Sequence, residues 1–580
     1  MTHFLRPLAV LCLALTARAD DWALDRIPAV PPPAAPNSKA PAPPKDFAEV
    51  KMDFAITPGP FEPTWESIEK NHPGSPEWLR ESKFGVFIHW GPQAFGRSGD
   101  WYARKLYMEG EGAYANHLKN FGHPSEFGYK DVLNAWTAPK WDPDRLTGAF
   151  HDAGIRFMMA VGVHHDNFDL WDSKYEPWNS VNIGPKKDMM GGWKREAAKR
   201  GMHFGITFHH EYNWWWFQTA FGADTQGPKA GVPYDGRLTL ADGKGTWWER
   251  FDPRYLSGID IREYHDVANI PFSREGIFQD HQEYAHWYAT WWAKRIQDAI
   301  EKYDPDLIYT DGNGTGPFCG HHSGSGYKCD AGPRLVAHYY NESLRRRGKV
   351  DTLACIKWVR GNKAIGVTQE NSVPDRIVSD GPWIGENPIG DWYYGPNYCY
   401  EPVSLIRSLL EYASRDGAYA CAIPITPEGD LEPACFDMLK AIGAWMKINS
   451  EGIYGSRAWK TWGEGTLVQR GKLDHNTPKL PFTPQDIRYT LGKNGALYAW
   501  CMAVPAPGTK ITLTSCGTGK LLDRQVTSVT LLGSPEKLVW EQTPDGLVIT
   551  CPAQMTQQLA AGFRIETSAA AASIPPLRNP

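Results

Sequence analysis

The sequence predicts an α/β fold, an irregular (β/α)8-like TIM barrel over residues 61–455 followed by a C-terminal antiparallel β-sandwich over 456–567. Three observations carry this prediction. From about Pro63 onward, short apolar runs alternate with longer amphipathic stretches, the pattern of strands feeding helices. Each apolar run passes into polar residues at its C-terminal end, where parallel barrels place their active sites. After "IYGSRAW", Ile453 to Trp459, the texture changes to short alternating segments separated by turn signals.

The strand candidates are Phe84 to Trp90, Arg156 to His165, His203 to His210, Asp306 to Gly312, Thr352 to Trp358 and Ala418 to Ile425. Between them "DRLTGAFHDAG", "GGWKREAAKRG", "YAHWYATWWAKRIQDAIEKY", "PVSLIRSLLEYASRDG" and "EPACFDMLKAIGAWMKIN" have helical apolar spacing. Residues 218–275 and 313–334, rich in Gly, Pro, Asp, Cys and His, read as long loops over the barrel mouth. In the C-terminal region "KNG" and "PDG" mark hairpins between alternating segments.

Ahead of the barrel, residues 1–19 have the layout of a cleavable secretory leader: Arg6, the apolar run Leu8 to Leu15, then Ala17-Arg18-Ala19. Residues 20–60 are assigned to a Pro/Ala-rich linker, and 568–580 to a disordered tail. Export to the periplasm or the extracellular space follows as an expectation. No later run approaches the roughly twenty apolar residues of a membrane span. With 61 basic and 66 acidic residues and no long basic run, nucleic acid is not an expected partner. The sequence carries no signal for an oligomeric state. The 26 Trp, 25 Tyr and 23 Phe suit a ligand that is part apolar and part hydroxylated, such as a sugar, although most such rings belong to cores. Of ten cysteines, Cys12 lies in the leader; Cys319 and Cys329 flank a glycine-rich stretch closely enough to staple it, an open alternative to free thiols.

Chemistry concentrates at the strand ends. "HHD" at His164, His165 and Asp166 and "HHE" at His209, His210 and Glu211 supply metal-ligand types. However, the first strand offers one histidine, His89, in place of an HxH pair, and adjacent strand residues point to opposite faces. No metal or other cofactor is therefore expected. No GxSxG elbow follows a strand, and no phosphate-binding loop stands between a strand and a helix. Paired carboxylates remain: Asp311 ends "DLIYTDG", with Glu370, Glu386 and Asp391 available as partners. Two carboxyls about 5 Å apart could serve as nucleophile and acid/base of a retaining glycosidase.

These segments resemble, in order from about Trp78 to Trp459, the α-L-fucosidases of glycoside hydrolase family twenty-nine. The likeness rests on "KFGVFIHWG", "GDWYAR", "HHDNFDLWDSKYEPWNSVNIGPKKDMM", "YDPDLIYTDG", "PWIGENPIGDWYY" and "IGAWMKINSEGIYGSRAW". It implies an enzyme that releases terminal α-L-fucose, plain or substituted, from oligo- or polysaccharides by double displacement. By the resemblance, Asp311 is the nucleophile and Glu370 the acid/base, with Glu386 in reserve. His89, Asp100, Trp101, His164, His165, His209, Tyr309 and Lys357 are the expected sugar contacts. Asp100 stands where a Glu is usual and Lys357 where many members place an Arg; either change bears on specificity. The rival readings are a glycan-binding homologue with little turnover and a glycosidase for a related 6-deoxy or galacto-configured L-sugar.

Overall fold

The computed structural model describes residues 50–211, 213–260, 262, 282–312, 329–396, 398, 400–467, 471–472 and 480–568. The expected leader, most of the linker, Cys319 and the tail after Ser568 lie outside the described residues. The Cys319–Cys329 pairing therefore lies outside them too.

Eight parallel strands close into a barrel. They are β1 (Phe84–Ile88), β2 (Phe157–Val163), β3 (His203–Phe208), β4 (Leu307–Thr310), β5 (Leu353–Ile356), β6 (Ile365–Glu370), β7 (Trp383–Pro388) and β8 (Ala418–Ala422). Most are aromatic, β-branched or aliphatic throughout because both faces are covered, one by the barrel interior and one by the surrounding helices. Inside, Phe157, Met159, Leu307, Leu353, Ile384 and Ala420 fill the lower barrel. Each large side chain buried this way contributes on the order of 1.5–3 kcal/mol, so the barrel floor is solid. The fit is close at Gly85, where a Cβ would meet the Phe157 ring at 2.3 Å.

Two of the eight strands, β6 "IGVTQE" and β7 "WIGENP", are absent from the sequence-derived set. Gly, Gln, Asn and Glu interrupt their apolar pattern, because their C-terminal halves face the polar cavity. The helix Ala331–Arg347 likewise begins inside the stretch expected to be loop. Residues 50–60 do not belong to the linker: Met52 and Phe54 are buried, and Thr57 hydrogen-bonds His338 and Glu342 on that helix. They pack there because that helix offers the apolar side chains a surface to bury against.

The C-terminal unit is a sandwich. A five-stranded sheet comprises β9 (Arg457–Glu464), β10 (Ile487–Leu491), β11 (Leu497–Cys501), β13 (Val526–Leu531) and β16 (Ala561–Thr567). A three-stranded sheet comprises β12 (Lys510–Leu513), β14 (Val539–Gln542) and β15 (Leu547–Thr550). "KNG" turns β10 into β11 and "PDG" turns β14 into β15, as the turn chemistry predicts. The sandwich is locked to the barrel by buried charge. Arg488 on β10 and Arg415 both pair with Glu411 of the helix Pro402–Ala413, all three at most 1 % exposed. The Arg415 guanidinium lies 3.8 Å from the centre of the Trp462 ring.

Glu411→Ala leaves two guanidinium groups buried without their carboxylate. It is expected to lower the unfolding free energy by roughly 3–5 kcal/mol in urea titration; a loss below about 1 kcal/mol would show that the pairing does not hold the domains together.

Candidate active site

Strand parity builds the site. Phe87 on β1, Tyr309 on β4, Cys355 on β5 and Ile384 on β7 point into the barrel, so residues two positions on, His89, Asp311, Lys357 and Glu386, point into its mouth. Register aligns Glu370 with Glu386 across β6 and β7, which turns Glu370 inward as well. β2 behaves differently. Its ladder shifts register between Val161 and Val163 and ends there, so His164 and His165 follow a turn and both reach the cavity.

The cavity holds about 300 Å³ and is lined by His89, Asp100, Trp101, His164, His165, His209, Tyr309, Asp311, Lys357, Glu370 and Glu386. The two catalytic candidates, the reserve Glu386 and all the expected sugar contacts are therefore brought together, whereas Asp391, Asp166, His210 and Glu211 do not line the cavity. Phe87 and Trp392 also line it and are missing from that set. Trp392 packs its indole 4.6 Å from the His89 ring. Its signal was the aromatic run "DWYY", and Phe87 could have been found from the alternation that placed His89.

Asp311 lies in a deep polar nest. Lys357 Nζ donates to its Oδ1 at 2.8 Å, and His209 Nδ1 lies 2.9 Å from its Oδ2, with His165 Nε2 at 3.8 Å. Burial pushes the carboxyl pKa up, but Lys357, His209 and His165 outweigh it and hold Asp311 well below the usual carboxylate range. The same ammonium donates to Glu370 Oε2 at 2.5 Å. Burial alone would lower the Lys357 pKa; Asp311, Glu370 and Glu386 together raise it instead. Behind the nucleophile position, Gly312 is required: a Cβ there would fall 1.9 Å from the Glu211 carboxylate.

Three of the histidines, His89, His164 and His165, are held neutral by burial. Burial drives His89 and His164 well below their ordinary pKa and His165 to about 3. Gln93 Nε2 donates to His164 Nδ1 at 2.7 Å, and His165 Nδ1 meets the carbonyl of His209. His89 Nδ1 and Asp100 Oδ1 are buried without a hydrogen-bond partner. Burial, then the nearby Asp391, pushes the Asp100 carboxyl well above its usual range. Buried polar atoms left unpaired cost about 1–3 kcal/mol each, so these point to a hydroxylated ligand that completes them.

Two groups, His89–His164–His209 and His165–His209–Asp311, have ligand atoms close enough for an ion. Both need His209, whose Nδ1 is engaged by Asp311 and whose Nε2 lies 2.9 Å from Thr207 Oγ1. Ligation would break one of these contacts, so the donor set does not fit a preformed metal site. His210, one residue on, points away from the cavity and faces Trp292. Asp166 and Trp171 are structural, accepting from Tyr129 and donating to Asp298.

Paired carboxylates with neutral histidines and indoles, at the C-terminal mouth of a parallel barrel, define a glycoside-processing enzyme. The chain belongs to the alpha-L-fucosidase family: the pattern described as Alpha-L-fucosidase matches residues 49–451, and that described as Alpha-L-fucosidase C-terminal domain matches 481–566. It is 23 % identical over 513 residues to the tissue alpha-L-fucosidase of Rattus norvegicus, covering 86 % of this chain and 90 % of the relative. To that of Homo sapiens it is 24 % identical over 514 residues, covering 86 % and 89 %. The fold resembles that of Thermotoga maritima alpha-fucosidase in complex with fucose, with a TM-score of 0.62 and 20 % identity, covering 87 % of this chain and all of the other.

Removing the Lys357 ammonium takes away the largest influence that lowers the Asp311 pKa and leaves burial less opposed. In Lys357→Met the ionised Asp311 then appears only at higher pH. The acid limb of kcat/KM is expected to move toward neutrality by about one unit or more. An unmoved limb would show that Lys357 does not set the charge of Asp311.

Proposed function

We propose that this protein is an exo-acting, retaining α-L-fucosidase that removes terminal fucose, plain or substituted, from oligo- or polysaccharides. One observation carries the reading: Asp311 and Glu370 share the Lys357 ammonium at the mouth of the barrel. Two of their oxygens therefore lie within two hydrogen-bond lengths of each other, closer than the about 6.5–9.5 Å of inversion and compatible with the about 5–5.5 Å of retention. The small cavity, walled by Trp101 and by Trp392 on His89, suits one terminal sugar. The Thermotoga relative's complex with fucose and the family's description agree with that sugar.

In the first step an Asp311 oxygen attacks the anomeric carbon while protonated Glu370 gives its proton to the departing glycosidic oxygen. Glu370, 35 % exposed where Asp311 is 16 %, stands on the solvent side, where the leaving group departs and protons exchange. Forming the ester removes the charge from Asp311. Lys357 is then left to Glu370, now a carboxylate, which takes a proton from water as the water attacks the anomeric carbon and Asp311 leaves. The neutral imidazoles of His89, His164 and His165, with Asp100 and Trp101, hold the hydroxyls. A neutral imidazole both donates and accepts, as a hydroxyl does. The departures at Asp100 and Lys357 bear on which substituents the sugar carries. The leader pattern of residues 1–19 supports export.

Asp311→Gly is expected to lower kcat on an aryl α-L-fucoside by at least about a thousandfold. Glu370→Ala should lose far more on a poor leaving group than on an activated aryl one, with azide restoring activity on the latter. Full activity of Glu370→Ala on a natural glycoside would remove Glu370 from its role. For export, the protein recovered from its native host should begin at Asp20 by mass spectrometry; an intact Met1 would contradict cleavage.

A further inference from the structure

Glu386 is a third carboxyl in the same cavity, 1 % exposed, on β7 beside Glu370. The reaction derived above does not use it. Its surroundings are chemically definite. Tyr309 OH donates to its Oε1 at 3.2 Å, while Oε2 is buried with no hydrogen-bond partner. Its titratable neighbours are Tyr309 and Asp311 on the β4 side, Cys355 and Lys357 on the β5 side, Glu370 on β6, and Tyr412 on the helix behind. Lys357 is the cation among them, and its ammonium is already within 2.8 Å of Asp311 and 2.5 Å of Glu370. Among the described residues, Glu386 has no ion pair of its own. A buried carboxylate beside the ionised Asp311 and a second carboxyl, with no cation of its own, is too costly to keep, so the group holds its proton. With Oε1 accepting from Tyr309, that proton belongs on Oε2.

We propose that Glu386 is a specificity-determining residue that works as a neutral carboxylic acid, donating from Oε2 to an uncharged oxygen of the bound sugar. This rests on the glycosidase reading above. Burial, opposed by Lys357 and reinforced by Glu370 and Asp311, places its pKa at about 8. The sign follows: the donor exists below that pH and is lost above it, so substrate capture weakens on the alkaline side.

The experiment measures kcat/KM against pH for wild type, Glu386→Gln and Glu386→Leu on an activated aryl α-L-fucoside, whose leaving group needs no acid. Glu386→Gln keeps a neutral donor; it is expected to cost less than about tenfold and to abolish the alkaline limb. Glu386→Leu should cost a further ten- to hundredfold or so, as a sugar oxygen goes unpaired. Thermal unfolding checks that each variant folds, and if the leucine variant does not, the pH profile of Glu386→Gln decides alone. A limb that persists in Glu386→Gln overturns the proposal, as does wild-type activity in both variants, and neither result touches the roles of Asp311 and Glu370. If Glu386→Gln is inactive on poor leaving groups and azide rescues Glu386→Gly, then Glu386 is the acid/base. In that case the proposal and the assignment of Glu370 fall together.

Discussion

One ammonium group sets the charge balance of this cavity. Lys357 touches both Asp311 and Glu370, and it is the strongest influence holding Asp311 ionised against its burial. A carboxylate in a poorly solvated space stays ionised only when a cation or strong donors face it. Burial, with like charges nearby, keeps His89, His164 and His165 uncharged, and the proposed neutrality of Glu386 rests on Lys357 being engaged by the other two carboxyls. The charge of the nucleophile thus descends from a single side chain at the end of β5, and the uncharged imidazoles around it from burial.

That arrangement depends in turn on the pleat. Side chains two apart on a strand share a face, so the solid apolar layer of Phe87, Tyr309, Cys355 and Ile384 dictates where His89, Asp311, Lys357 and Glu386 must stand. The register shift at Val161 and Val163 ends this rule on β2 and lets two consecutive histidines serve one cavity. Outer support comes from side chains outside the cavity lining: Gln93 on His164, Thr207 on His209, and Asp391, which accepts from the Asp100 amide at 3.2 Å. Arg295, fully buried, pairs with Asp169 and reaches Asn167, fixing the loop that follows the two histidines.

Local chemistry by itself determined much of this protein. Apolar runs ending in polar residues identified six strands and the face on which function lies, and turn pairs such as "KNG" marked the second domain. Motif order identified His164, His165, Asp311 and their companions, because a residue at a barrel strand's end has its position fixed by the strand behind it. Tertiary structure decided what depends on partners distant in sequence. β6 and β7 were illegible because their polar halves obey the cavity and not a strand pattern. Residues 50–60 read as linker because the helix they pack on lies some 280 positions away. Lys357, read as a sugar contact, also stands between two carboxyls once the chain folds, and the proposed protonation of Glu386 rests on how that one cation is shared. Charge state is a property of neighbours, and neighbours across a barrel are set by closure of the sheet.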